Sequence, residues 1–140
     1  MALRAADLKV GDRREQVVVE DLTRTQLVQY AGASGDYNPL HTDEPFARQV
    51  SGHAGVFAHG MLTMGLTGKA VTDWVGDGRL VEFGVRFVAQ VWPGDTLIAT
   101  VTVRAIGTRG GAPVVELDVS SVNQDGVEVI TGTAVALLDP

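Results

Sequence analysis

Hydrophobic and polar positions change texture once along this chain, at Gly76-Asp77-Gly78. Before that point, short apolar periods are broken by glycine and proline. Gln16 to Glu20 is valine-rich and reads as a strand, since β-branched side chains suit a pleated, half-buried surface. Residues 7–12 ahead of it read as a lead-in turn. Leu22, Leu27, Val28, Tyr30 and Ala31 recur at helical spacing, which predicts a helix to about Ala33 with Thr23 or Thr25 as its cap. Gly32, Gly35 and Pro39 stop it. Asp43-Glu44-Pro45 has the form of a capped helix start with acid at its positive end, and predicts a short helix to about Val50. Ser51 to Gly55 is a glycine-rich loop. Gly60 to about Trp74 carries Met61, Leu62, Met64, Leu66, Ala70, Val71 and Trp74. It is apolar around most of its circumference, as a helix wrapped by a sheet would be.

Beyond residue 78 the chain is β-rich. Leu80–Val91, Thr96–Ile106, Val114–Val122 and Glu128–Leu138 are separated by Trp92-Pro-Gly-Asp95, residues 108–113 and Asn123-Gln-Asp-Gly126, all turn chemistry. Four antiparallel strands in a meander are expected. Thr96, Ile98, Thr100 and Thr102 alternate with Leu97, Ala99, Val101 and Val103, the period of a sheet with one buried face. One long helix cradled by a curved antiparallel sheet is an α+β, two-layer domain, expected to span 1–140 because no linker or repeat interrupts it. The outer strands carry no device that blocks pairing, so a dimer is expected.

Charge narrows the function classes. The net charge is -6, and the 11 basic residues are scattered, with Arg13-Arg14 their only adjacent pair. Nucleic-acid binding needs clustered cations and is not expected. There is no cysteine, hence neither disulfide nor thiolate ligand, which fits a reducing compartment. Met1 to Asp7 lacks the charged-then-apolar plan of a leader, and no stretch approaches the roughly 20 apolar residues of a membrane span. A soluble, cytoplasmic protein is expected.

The chemistry-bearing residues concentrate in two stretches, Ser34-Gly-Asp-Tyr-Asn-Pro-Leu-His41 and Ala58-His-Gly-Met-Leu62. Asp36 and His41 offer a carboxylate and an imidazole on an irregular segment. A neutral imidazole accepts a proton, and a neighbouring carboxylate orients it and raises its basicity. Asp36 before Asn-Pro is equally a turn former, and that reading stays open, though it leaves His41 unexplained. Asn38, preceding Pro39, reads as a residue that holds the loop. Gly60 opens the long helix, whose first N–H groups suit a developing oxyanion and whose missing Cβ permits close approach. Packing of helix against sheet is the alternative for Gly60. His59 reads as a packing residue and His53 as a solvated loop residue. No histidine pair has the i,i+4 spacing of a helical zinc site, so no metal is expected. Ser34 lacks a Gly-x-Ser-x-Gly elbow, and Gly107 to Gly111 lies between strands and is a hairpin turn.

Ala31-Gly-Ala-Ser-Gly-Asp-Tyr-Asn-Pro-Leu-His41 followed by Phe57-Ala-His-Gly-Met-Leu62 resembles the signature of MaoC-like hot-dog-fold hydratases and dehydratases. The likeness extends over essentially the whole chain, through Val85-Arg-Phe87, Trp92-Pro-Gly-Asp95 and Thr131-Gly-Thr-Ala-Val135. Ala58 to Gly65 and Val71-Thr-Asp-Trp-Val-Gly76 look closest to the catalytic subunit of mycobacterial-type (3R)-hydroxyacyl-ACP dehydratases. The resemblance implies a hot-dog fold, Asp36 and His41 as the catalytic pair, and the Gly60 backbone N–H as the oxyanion donor. Asn38 and Ser34 would support the loop. Some relatives carry a serine where this chain has Gly68, which puts any auxiliary serine role in doubt. The implied reaction is the reversible hydration of trans-2-enoyl thioesters of CoA or acyl carrier protein, with no cofactor. Two other readings accompany it: a non-catalytic acyl-binding subunit of a heterodimeric dehydratase, and a hot-dog thioesterase. Arg4, Arg13, Arg14, Arg48, Lys69 and Arg86 are the candidate cations for a carrier-protein patch.

Overall fold

A computed structural model describes residues 3–140; Met1 and Ala2, part of the stretch considered as a leader, lie outside the described residues. Strands β1 (Arg13–Val19), β2 (Leu80–Phe87), β3 (Leu97–Arg109), β4 (Ala112–Val122) and β5 (Glu128–Leu137) form one antiparallel sheet in the order β1-β3-β4-β5-β2. Two helices lie with it, α1 (Arg24–Ser34) and α2 (Gly60–Val75), and α2 touches every strand. No helix among the described residues is long and apolar enough to cross a membrane.

Local chemistry accounts for most boundaries. Thr23, not Thr25, caps α1: its hydroxyl accepts the Gln26 N–H at 3.0 Å while Gln26 returns an acceptor to the Thr23 N–H at 2.9 Å. The helix ends at Gly35, whose φ of 77° is left-handed and whose N–H closes onto the Ala31 carbonyl. The short helix expected before Val50 is a single wide turn, Phe46–Val50, in which the Ser51 N–H reaches back to the Phe46 carbonyl. Asp43 caps it through the Phe46 N–H.

The sheet departs from a four-strand meander. Only β3, β4 and β5 follow one another; β2 pairs with β5 at the far edge, in register from Leu80↔Ala136 to Phe87↔Ile130. The cause is the connection at Trp92-Pro-Gly-Asp95, which is a corner rather than a hairpin. Asp95 Oδ2 accepts the Trp92 N–H, and backbone bonds join Leu22 to Asp95 and Gly94. The turn is thereby tied to the end of β1, and β3 starts beside β1 instead of beside β2.

The cores explain where α2 sits. Along β3, Leu97, Ala99, Val101 and Val103 are buried in alternation, as the sequence period requires. One apolar cluster unites Ala99, Val101 and Val103 with Ala70, Val71 and Val75 of α2; a second, under the site, holds Leu22, Leu27, Ala47, Val56, Ala58, Val91, Leu97 and Val129. The helix is less enclosed than its composition suggests: Met61 is 58% exposed, and the buried face includes Thr63 and Thr67. Thr67 is satisfied by Ser121 of β4, hydroxyl to hydroxyl at 2.8 Å, both fully buried. Thr67→Val strands the Ser121 hydroxyl and is expected to lower stability by about 1–3 kcal/mol. Urea unfolding of this variant and of Thr67→Val/Ser121→Ala checks it: the double change should recover part of the loss.

Candidate active site

The segment leaving α1 is built from short side chains that each bond the backbone two residues on. Ser34 Oγ accepts the Asp36 N–H (3.1 Å), Asp36 Oδ1 accepts the Asn38 N–H (3.2 Å), and Asn38 Oδ1 accepts the Leu40 N–H (3.1 Å). Pro39 then opens a single tight turn to His41, whose N–H bonds the Asn38 carbonyl. Serine, aspartate and asparagine at i, i+2 and i+4 thus carry the chain from a helix end to the imidazole through side-chain bonds that are all local. Asp36 is exposed and His41 is 8% exposed.

His41 is oriented from the other stretch. Its Nδ1 lies 2.6 Å from the Phe57 carbonyl, which can only accept, so Nδ1 carries the proton and Nε2 is left with a bare lone pair. Phe57 is held in turn by its N–H on the Leu40 carbonyl, and Ala58 by its N–H on Val91. Glu44 anchors the approach: it pairs with Arg24 and Arg48 and accepts the Val56 N–H, while Gly55 packs so close that a Cβ there would lie 2.5 Å from Glu44 Oε1. The Arg24 bond, first among its partners, holds the Glu44 carboxyl below the usual carboxylate range.

His59 enters the site as well. Its Nε2 donates to the Asp36 backbone carbonyl at 3.0 Å, and its ring stacks on His41 with centroids 3.8 Å apart and planes 26° apart. Tyr30 meets the same ring edge-on at 4.9 Å. His59 precedes α2 but does not cap it with its side chain. Its carbonyl takes the Leu62 and Thr63 N–H groups, and the N–H groups of Gly60 and Met61 have no acceptor among the described residues. An uncapped helix start is therefore presented beside the imidazole. Beside it is a cavity of about 350 Å³ lined by Phe57, Ala58, Gly60, Thr63, Val91 and Val129 together with the chain from Phe87 to Gln90. Asp36 and His41 do not line this cavity; Phe57 to Gly60 join it to them. Gly60 faces the Phe87 ring, which a Cβ would approach to 3.2 Å. At Gly68, a Cβ would come within 2.9 Å of the Phe83 ring, so phenylalanine fills the room a serine there would need.

His53 is half-buried against Phe57 (4.9 Å between rings) rather than solvated. Sequence spacing also missed one gathering: donor atoms of Asp36, His41 and His59 lie within 4.8 Å of one another, a set that could hold a metal among the described residues. Carbonyls engage Nδ1 of His41 and Nε2 of His59, which leaves one bare nitrogen on each of the two stacked rings. The arrangement suits proton handling. In the sequence Glu44 reads only as an acidic helix start, because the partners that tie it to the site, Val56 and Arg24, are 12 and 20 residues away.

An open antiparallel sheet with one helix across it is a hot-dog fold, and an imidazole with a bare nitrogen, a nearby carboxylate and an uncapped helix start make its candidate acid–base site. Residues 6–124 match the MaoC like domain, and the chain belongs to that family. It is 34% identical over 128 residues to 3-hydroxyacyl-thioester dehydratase Y of Mycobacterium tuberculosis, covering 89% of this chain and 42% of that protein. It is 37% identical over 94 residues to the peroxisomal enoyl-CoA hydratase 2 of Arabidopsis thaliana, covering 65% of this chain and 30% of that one. The chain thus spans less than half the length of these curated relatives. An (R)-hydratase from A. caviae involved in PHA biosynthesis superposes with a TM-score of 0.84 at 28% identity, over 96% of this chain and all of that one.

Burial, chiefly, holds the His41 pKa below 6.5; the stacked His59 adds to this, while the Phe57 carbonyl and Asp36 work against it. Nε2 is therefore bare at neutral pH. The unfolded chain binds this proton first as pH falls, so the His41 contribution to stability is full above pH 6.5 and is lost as pH falls from there through the folded value. A ring-proton NMR titration should place the His41 midpoint below 6.5.

Proposed function

We propose that this chain interconverts trans-2-enoyl and (3R)-3-hydroxyacyl thioesters, with CoA or an acyl carrier protein as the thiol. The observation that carries the reading is the bare Nε2 of His41, set near Asp36 and next to an uncapped helix start that opens on an apolar cavity. In dehydration, the Asp36/His41 pair accepts the α-proton and returns a proton to the departing hydroxyl, so water leaves and no net proton is gained. Negative charge that builds on the thioester oxygen is met by the Gly60 N–H, a donor worth about 3–4 kcal/mol of barrier in comparable sites. The acyl chain enters the cavity between Gly60, Val88 and Val129. Ser34 and Asn38 keep Asp36 in place through the loop bonds described above.

The thioesterase reading is weaker here. The only carboxylate on α2 is Asp73, at the end far from Gly60 and engaged by Lys69 and Gln16. A non-catalytic acyl-binding role leaves the oriented Asp36 and His41 without purpose. Asp36→Asn and His41→Gln are each expected to slow crotonyl-CoA hydration by about 10²–10⁴-fold. Parental rates in both would refute the assignment, and release of free thiol without loss of enoyl absorbance would favour the thioesterase.

The working unit is proposed to be a dimer, with a second copy or with another hot-dog subunit. The outer side of β2 is unpaired, and Val81, Phe87, Val88 and Met61 are exposed around it. Of the candidate carrier-protein cations, Arg13, Arg48 and Lys69 already pair with Glu15, Glu44 and Asp73. Native mass measurement should give twice the chain mass, or a pair with a co-expressed partner, and Val81→Glu should shift it to the monomer.

A further inference from the structure

The loop that carries Asp36 is joined to the buried frame by very little. Its side-chain bonds from Ser34 to Asn38 are all local, Asp36 and Asn38 are exposed, and Tyr37 is 71% exposed. Among the described residues, the one long-range hydrogen bond of Gly35 to Asn38 is that of the Asp36 carbonyl with His59 Nε2, 23 residues on. His59 is itself 1% exposed and confined by Tyr30 on one side and the face of His41 on the other. Its backbone carries straight into Gly60. A single rigid side chain therefore touches the carboxylate-bearing loop, the imidazole and the start of the oxyanion helix.

The carbonyl acceptor places the His59 proton on Nε2, and Nδ1 is buried with no partner among the described residues. A ring used only to fill space would need no such bond, and phenylalanine or leucine would fill it without leaving a buried lone pair unsatisfied. A helix start also favours serine, threonine, aspartate or asparagine at this position, any of which would bond the open N–H groups. Histidine does neither: it leaves those groups to a ligand and turns its side chain to the loop.

We infer that His59 is a positioning residue for the reaction: its Nε2–H fixes Asp36 through the backbone, and its ring fixes the rotation of His41. This rests on the assignment of Asp36 and His41 made above. His59 takes no proton from substrate. It sets where the carboxylate stands relative to the imidazole, and displacement of about 1 Å in such a pair costs on the order of 10²-fold in rate.

Three measurements test it. In the unmodified protein, ring-nitrogen NMR should show His59 protonated on Nε2 and bare on Nδ1; the opposite tautomer overturns the inference without any variant. His59→Phe keeps a flat ring and removes the donor, whereas His59→Gln keeps a donor and removes the ring. Each is expected to lower kcat for crotonyl-CoA, by up to about 100-fold for His59→Phe, with KM within about threefold of the parent, since the acyl cavity is untouched. Because His59 acts through Asp36, adding His59→Phe to Asp36→Asn should cost little beyond Asp36→Asn alone. Parental kcat in both His59 variants, or losses that simply multiply with Asp36→Asn, overturns it. If Asp36→Asn itself hydrates at the parental rate, the catalytic assignment has failed; if Asp36→Asn is slowed while both His59 variants keep the parental kcat, only the role of His59 has.

Discussion

The hydrogen bond between His41 Nδ1 and the Phe57 carbonyl is the constraint on which the site depends. A carbonyl cannot donate, so this one contact selects the tautomer, aims the ring and leaves Nε2 as the only nitrogen free to exchange a proton. It also joins two stretches 16 residues apart, and much of the surrounding structure can be understood as keeping those stretches in register. Glu44 binds the Val56 N–H from the side of α1, Ala58 is bonded to Val91, and the second apolar cluster lies beneath both. Burial then keeps the ring unprotonated, so the same packing that orients the imidazole also suits it to act as a base.

The helix start supplies the complementary charge by an omission. Most helices satisfy their first N–H groups with a short polar side chain at the cap, but α2 begins at a histidine that turns away and a glycine that keeps the approach open. Phe87 covers Gly60 from one side and Phe83 fills the space beside Gly68, so the helix is glycine where strand β2 brings aromatic rings against it. The crossing of β2 to the far edge of the sheet makes this contact possible. Had the four strands run as a simple meander, β2 would have been joined to β3, away from β5, and the chain from Phe87 to Val91 could not have left β2 alongside Val129 to form the cavity wall.

Much of this architecture is legible in the order of residues. A threonine cap at 23 or 25, Gly35 as a stop, the alternation along Leu97 to Val103 and a hairpin turn within Gly107 to Gly111 all depend on neighbours a few residues away, and local chemistry decides them. The bonds from Ser34 to Asp36, Asp36 to Asn38 and Asn38 to Leu40 belong to the same class, which is why the loop can be recognised as irregular and carboxylate-bearing. Trp92-Pro-Gly-Asp95 is legible only as a turn. Whether a turn makes a hairpin or a corner depends on what lies beside it, here Leu22.

What the sequence by itself determined, then, is the set of elements, the candidate acid–base pair and the polar loop that presents it, because each rests on spacing within one short segment. Only the tertiary structure decided the strand order, the tautomer of His41, the part played by Glu44 and the placement of His59 against both Asp36 and His41. Those depend on contacts between residues 12 to 23 positions apart or on opposite edges of the sheet. No periodicity encodes such contacts; they exist only once the apolar faces of α2 and the sheet have packed and brought the two stretches together.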